Sequence, residues 1–135
     1  MTRVALYHRV STLDQNPTLA RRELRAAAKA RGFTVALDVE EKGSGARNDR
    51  AGLLRVLDAA RRGEVQAVAV WKLDRWGRSA LDLLANIRAL DEAGVRFTAV
   101  TQGIDVRPGG DATSRLLLTM LAGVAEFERE LIRER

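Results

Sequence analysis

Cysteine is absent from the 135-residue chain, which excludes disulfides, thiolate metal sites and a cysteine nucleophile. Histidine occurs once, as His8. One imidazole cannot build a multi-histidine zinc site and is a poor basis for a histidine general base; it reads as a polar residue flanking a strand. Long apolar runs are also missing, so no segment has the length of a membrane span, and the first residues lack the apolar stretch of a secretory signal. A soluble, cytoplasmic protein without membrane contact is therefore expected. No acidic cluster has the spacing of a metal site. Residues 9–15 contain no glycine, so the glycine-rich phosphate loop of nucleotide-binding folds is missing after the first apolar run.

What is present points to one α/β domain with a polyanionic partner. Apolar residues make up 46% of the chain, enough for a core, and 23 basic against 18 acidic residues leave a net charge of +5, mostly as arginine. Val4 to Tyr7 is a first strand. Asn16-Pro17 resembles an N-cap followed by a first-turn proline, and Ala20, Leu24, Ala27 and Ala28 share one face of a helix that runs to Arg31 and stops at Gly32. Phe33, Val35, Leu37 and Val39 alternate as a second strand. Glu40 to Arg50 is charged, has glycines at 43 and 45 and no hydrophobic period, and is expected to be a mobile loop.

Leu53, Val56, Leu57 and Ala60 form the apolar face of a helix over 51–62 that Gly63 closes. Ala67 to Trp71 has the pattern of a central strand covered on both sides. Ser79 with Asp82 resembles a capping box opening a helix to Gly94, and Val95 to Val100 is a fourth strand. Strand starts near residues 3, 33, 67 and 95 keep the spacing of βα units and predict a mainly parallel central sheet flanked by helices, with right-handed crossovers. Thr101 to Ala112 is expected to be a glycine-rich loop with no element of its own.

Thr113 to Arg135 reads as one long helix, and residues 1–112 as the domain that precedes it. In its first half Leu116, Leu117, Leu118, Met120, Leu121 and Val124 surround the axis instead of forming a stripe, so the helix must be covered on more than one side. A sheet in so small a domain covers one side. A second subunit is expected on the other, with Leu117, Met120, Leu121, Val124 and Phe127 at the interface; a helix sunk into its own core is the alternative. The last turns carry no C-cap glycine or proline, so a longer parent protein is expected.

The carboxyl ends of strands in an open α/β sheet face the ligand crevice. Arg9 and Ser11 follow the first strand; Asp74, Arg75 and Arg78 follow the third. A parallel sheet brings both clusters to one edge, with the loop carrying Arg50 above them. Each has an ordinary reading: Ser11 as a helix N-cap, 72–78 as a solvated charge run. A hydroxyl among guanidiniums nevertheless suits phosphoryl transfer, because arginines bind phosphate oxygens bidentately, stabilise charge developing on them and favour the serine alkoxide.

The sequence Tyr7-x-Arg9-Val10-Ser11-Thr12-x-x-Gln15, followed by Lys72-Leu73-Asp74-Arg75-x-Gly77-Arg78 and by Glu128-Arg129 and Glu134-Arg135, resembles the catalytic domain of the serine recombinases, the resolvase/invertase family. Lys42-Gly43-Ser44-Gly45, Asp49-Arg50 and Gly52-Leu53 match as well, and the resemblance covers essentially the whole chain. It implies that Ser11 attacks a backbone phosphate of double-stranded DNA to form a 5'-phosphoserine link, with Arg9, Arg75, Arg78 and Arg50 on the scissile phosphate. Asp74 is implied to orient arginines and to be a candidate acid for the leaving oxygen. Gln15 lies near the nucleophile, and Glu128, Arg129, Glu134 and Arg135 connect the long helix to the site. The family needs no cofactor and no metal and works as a homodimer that synapses into a tetramer. His8 and Trp76 depart from the small or aliphatic residues common at their positions. The other readings are a non-catalytic dimerisation module of the same fold and a phosphate-ester hydrolase.

Overall fold

A computed structural model of the chain describes residues 2–10, 17–42, 50–73, 76 and 79–134. Its elements, in order, are β1 (Arg3–Val10), α1 (Pro17–Ala30), β2 (Thr34–Lys42), α2 (Ala51–Arg61), β3 (Ala67–Val70), α3 (Ala80–Glu92), β4 (Arg96–Ala99), a 3-10 turn (Val100–Gln102), β5 (Ile104–Val106) and α4 (Ala112–Arg133). The sheet order is β2-β1-β3-β4-β5. The first four strands are parallel and β5 runs antiparallel to β4. The expected mainly parallel α/β sheet flanked by helices is therefore the architecture.

The two central strands owe their place to unbroken burial. Val4, Ala5 and Leu6 of β1 and all of β3 are buried, as a strand covered on both faces requires. Alternation then divides the core. Val4, Leu6, Ala67 and Ala69 pack with Leu24 and Ala28 of α1. Ala5, Tyr7, Val68 and Val70 pack on the other face with Leu53, Val56 and Leu57 of α2 and Leu83, Ile87 and Leu90 of α3. Gly63 and Gly94 take left-handed φ values of 74° and 73° just beyond α2 and α3, a conformation a side chain would disfavour.

Three expectations are corrected. Residues 101–112 hold the 3-10 turn and β5; the strand is three residues long and is held by pairing with β4, which no local periodicity signals. Glu40, Glu41 and Lys42 continue β2 and pair with His8, Arg9 and Val10. An edge strand tolerates charge on the face it leaves to water. His8 lies inside β1 and is buried, on the face that alternation shares with Val4 and Leu6.

Helix α4 starts from a built cap: the Asp111 carboxylate accepts the Ser114 N–H at 2.8 Å, and the buried Ser114 hydroxyl accepts the Arg107 N–H at 3.0 Å. Leu117, Leu118 and Leu121 lean on the core beneath α3. Leu117 and Leu121, expected at a subunit interface, are thus taken up partly by their own domain. Leu116, Met120, Val124, Phe127 and Leu131 remain exposed, and their spacing of four, four, three and four residues lays them along one continuous stripe.

Candidate active site

The carboxyl end of β1 is built by alternation. Tyr7 points to the α2–α3 side of the sheet, and Arg9 follows it on the same side two residues before Ser11. The Tyr7 hydroxyl donates to Glu41 Oε1 of β2. Burial is the main cause that raises the Tyr7 pKa far above its ordinary value; the hydrogen bond to Glu41 and its charge add to this, and the positive charges of Arg9 and Arg50 oppose it. Both guanidiniums therefore act on one phenol at the mouth of β1, and the phenol stays a neutral donor.

Arg50 is the residue from which α2 starts. Its carbonyl accepts the Leu54 N–H at 2.9 Å, and in the same turn Glu41 Oε2 accepts the Gly52 N–H at 2.6 Å. Gly52 makes the approach possible: a Cβ there would stand 2.8 Å from Val39 Cγ1 and 2.9 Å from Glu41 Oε2. Its side chain crosses to α3. Arg50 Nη1 and Nη2 donate to Asp82 Oδ1 and Oδ2 at 2.8 and 2.6 Å, a bidentate pair that raises the Arg50 pKa against the opposing effect of burial. Asp82 sits in the first turn of α3, where its own N–H donates to the Ser79 hydroxyl at 3.1 Å. The expected capping interaction is present, and the aspartate has a second task.

Trp76 falls between β3 and α3 in the chain. Its ring is buried edge-on to Tyr7 with centroids 5.4 Å apart and lies 5.8 Å from Phe97. Its carbonyl accepts from Asn86 Nδ2 at 3.1 Å. The bulky residue thus packs between Tyr7 of β1 and Phe97 of β4. Glu128 of α4 reaches the same corner, where its Oε1 accepts the Ala80 N–H at 3.3 Å.

Of the residues expected at the site, Arg9, Arg50 and Glu128 converge on this end of the sheet. Arg129 instead pairs with Glu126 at 3.3 Å on the exposed side of α4, and Glu134 is exposed beyond its last turn. A step of one residue turns a helix by about 100°, so Arg129 cannot follow Glu128 inward. Ser11, Gln15, Asp74, Arg75, Arg78 and Arg135 lie outside the described residues. Sequence reasoning missed the roles of Asp82 and Glu41. The signal for Glu41 is its place two residues after Val39, on the inward parity of β2, where a carboxylate needs donors. Among the described residues, no group of three His, Asp or Glu side chains is arranged to hold a metal ion.

An α/β domain with Arg9 at the carboxyl end of a central parallel strand and Arg50 at the start of a neighbouring helix offers cationic groups where open α/β sheets bind their ligands. The family model for the N-terminal domain of resolvases matches residues 4–135. The chain belongs to that family, the serine recombinases. It is 40% identical to the serine recombinase gin of Escherichia phage Mu over 129 residues, covering 96% of this chain and 61% of that protein. Among solved structures, it resembles a resolvase family site-specific recombinase from Streptococcus pneumoniae, with a TM-score of 0.83 at 30% identity over 98% of this chain and 91% of the other. It also resembles the N-terminal catalytic domain of TP901-1 integrase, with a TM-score of 0.77 at 32% identity, covering 96% and 98%. The chain spans about three fifths of the length of the first relatives it matches by sequence. No helix among the described residues is long and apolar enough to cross a membrane.

Proposed function

We propose that this chain is the catalytic domain of a site-specific DNA recombinase whose nucleophile is Ser11. The Ser11 oxygen attacks a phosphodiester of double-stranded DNA; its bond to phosphorus forms as the bond to the 3' oxygen breaks. The serine proton leaves the nucleophile and a proton is supplied to the departing 3' oxygen, for which Asp74 is the candidate donor. The phosphoester link conserves the energy of the broken bond, so the reverse attack by a 3'-hydroxyl reseals the strand without ATP, metal or other cofactor. Arg9, Arg50, Arg75 and Arg78 stabilise the charge that builds on the phosphate oxygens, and Gln15 lies beside the nucleophile. The observation that carries this reading is the match of residues 4–135 to the resolvase N-terminal domain, with Arg9 at the carboxyl end of β1, two residues before Ser11.

The reading includes an assembly. The stripe Leu116, Met120, Val124, Phe127 and Leu131 is the surface on which a second copy packs in a homodimer, and two dimers synapse as a tetramer on DNA in the cytoplasm. Residues 1–112 form the catalytic core and 113–135 begin the interface helix, with Glu134 and Arg135 available to the assembled site. The test joins the chain to a DNA-binding domain of known specificity and incubates it, without divalent metal, with supercoiled plasmid carrying paired sites. A covalent protein–DNA band on a denaturing gel, present in the parent and absent in Ser11→Ala, is expected. A folded, site-bound fusion that forms no such band overturns the assignment.

A further inference from the structure

We infer that Asp82 is a positioning residue for the cleavage step, holding Arg50 end-on so that the Nε edge of its guanidinium can take a pair of phosphodiester oxygens. The inference rests on the functional reading above. A guanidinium has five N–H donors, and its two bidentate edges are the end-on edge, Nη1 with Nη2, and the side edge, Nε with one Nη. Asp82 engages the end-on edge of Arg50 and leaves the Nε edge outside the pair. Another described arginine does the reverse. Arg96 engages Asp105 through Nε and Nη2, both at 2.6 Å, which closes the side edge to any other anion.

Asp82 is itself well placed to hold a long side chain still. Its backbone is tied to Ser79 in the first turn of α3, where a carboxylate is also favoured by the helix dipole. At its other end the Arg50 carbonyl accepts the Leu54 N–H. An arginine tethered at both its backbone and its tip has lost its rotamer freedom before substrate arrives, the condition for productive orientation.

The experiment compares the DNA-binding fusion with its Asp82→Asn, Asp82→Ala, Asp82→Glu, Arg50→Ala and Arg50→Ala/Asp82→Ala variants under single-turnover conditions. Asp82→Asn and Asp82→Ala are expected to slow formation of the covalent complex about 10-fold or more at saturating protein, with half-saturating concentration unchanged within about twofold. Asp82→Glu should recover part of the rate, and the double variant should be no slower than Arg50→Ala alone. A rate at or above the parent's in Asp82→Asn would mean that the aspartate only restrains Arg50 and would overturn the inference, as would additive losses in the double variant. If the parent forms no Ser11-dependent link, the functional reading fails, and the relaxation of the Arg50 Nε–H in ¹⁵N NMR decides the inference separately. Arg50 held in the parent and mobile in Asp82→Asn supports it; equal mobility in both rejects it.

Discussion

Two arginine–aspartate pairs, Arg50 with Asp82 and Arg96 with Asp105, share short bidentate contacts and similar partial exposure, yet they serve different parts of the molecule. Arg96 and Asp105 face each other across the β4–β5 hairpin, nine residues apart in sequence. Asp105 also accepts Arg107 Nε at 3.2 Å and the Thr98 hydroxyl at 3.3 Å. Every contact is local, and the cluster ties the three-residue edge strand to β4 beside the buried Val106. Arg50 and Asp82 are 32 residues apart and join the first turns of two different helices at the crevice. The same chemistry fastens a hairpin in one place and links two helices in the other. The difference lies in which guanidinium edge is engaged and which elements are joined.

The largest expected effect separates the two pairs on activity. Arg50→Ala should lower covalent complex formation by about 100-fold or more, the scale for loss of a transition-state donor, while costing no more than about 1 kcal/mol of stability, as for other partly exposed ion pairs. Arg96→Ala should cost a similar amount, on the order of 1 kcal/mol, because this pair is just as exposed and Asp105 keeps Arg107 and Thr98 as donors, and should leave the rate per folded molecule unchanged. Denaturant unfolding and single-turnover cleavage on both variants check this. Equal losses of rate in the two would erase the distinction.

How far these roles are legible in the sequence depends on distance along the chain. Arg9 is the penultimate residue of β1, so its place at the carboxyl end of a central strand follows from periodicity and topology alone. The helical faces of Leu53, Val56 and Leu57 or of Leu83, Ile87 and Leu90 are legible for the same reason. Asp82 is legible only as a cap, because Ser79 lies three residues before it; its partner Arg50 becomes a neighbour only when α2 and α3 pack side by side. Glu41 reads as loop because a charged edge strand carries no alternation of apolar residues. β5 escapes because its pairing comes wholly from β4. His8 escapes because one polar residue in an apolar run does not say which face will cover it.

A smaller effect tests whether Arg50 depends on its backbone anchor as well as on Asp82. In Gly52→Ala the new methyl would stand under 3.0 Å from both Val39 and Glu41. Val39 is buried on a strand and cannot yield easily, so the Glu41 carboxylate must withdraw from the Gly52 N–H. Overpacking of this kind costs about 1–3 kcal/mol, and Arg50 should lose its fixed origin. We expect a stability loss together with a several-fold fall in cleavage at temperatures where the variant is fully folded. A stability loss with an unchanged rate would show that Asp82 alone suffices to position Arg50.

The smallest effect belongs to the structural pair and is read by pH. Burial raises the Asp105 pKa, but the hydrogen bonds and charges of Arg96 and Arg107 outweigh it and leave the group below its ordinary value. A carboxylate depressed in the folded state binds its proton less readily there than in the unfolded chain. Its contribution is therefore complete above the unfolded value of about 4 and is lost as pH falls through the lower, folded value. The contribution is on the order of 1 kcal/mol, given that the group is partly exposed. Urea midpoints for the parent and Asp105→Asn should differ at pH 6 and converge as pH falls below 4. Cleavage by Asp105→Asn at pH 7 should match the parent per folded molecule. A midpoint difference that persists undiminished at low pH would assign the hairpin's stability to the neutral hydrogen bonds of Thr98 and the strand ladder.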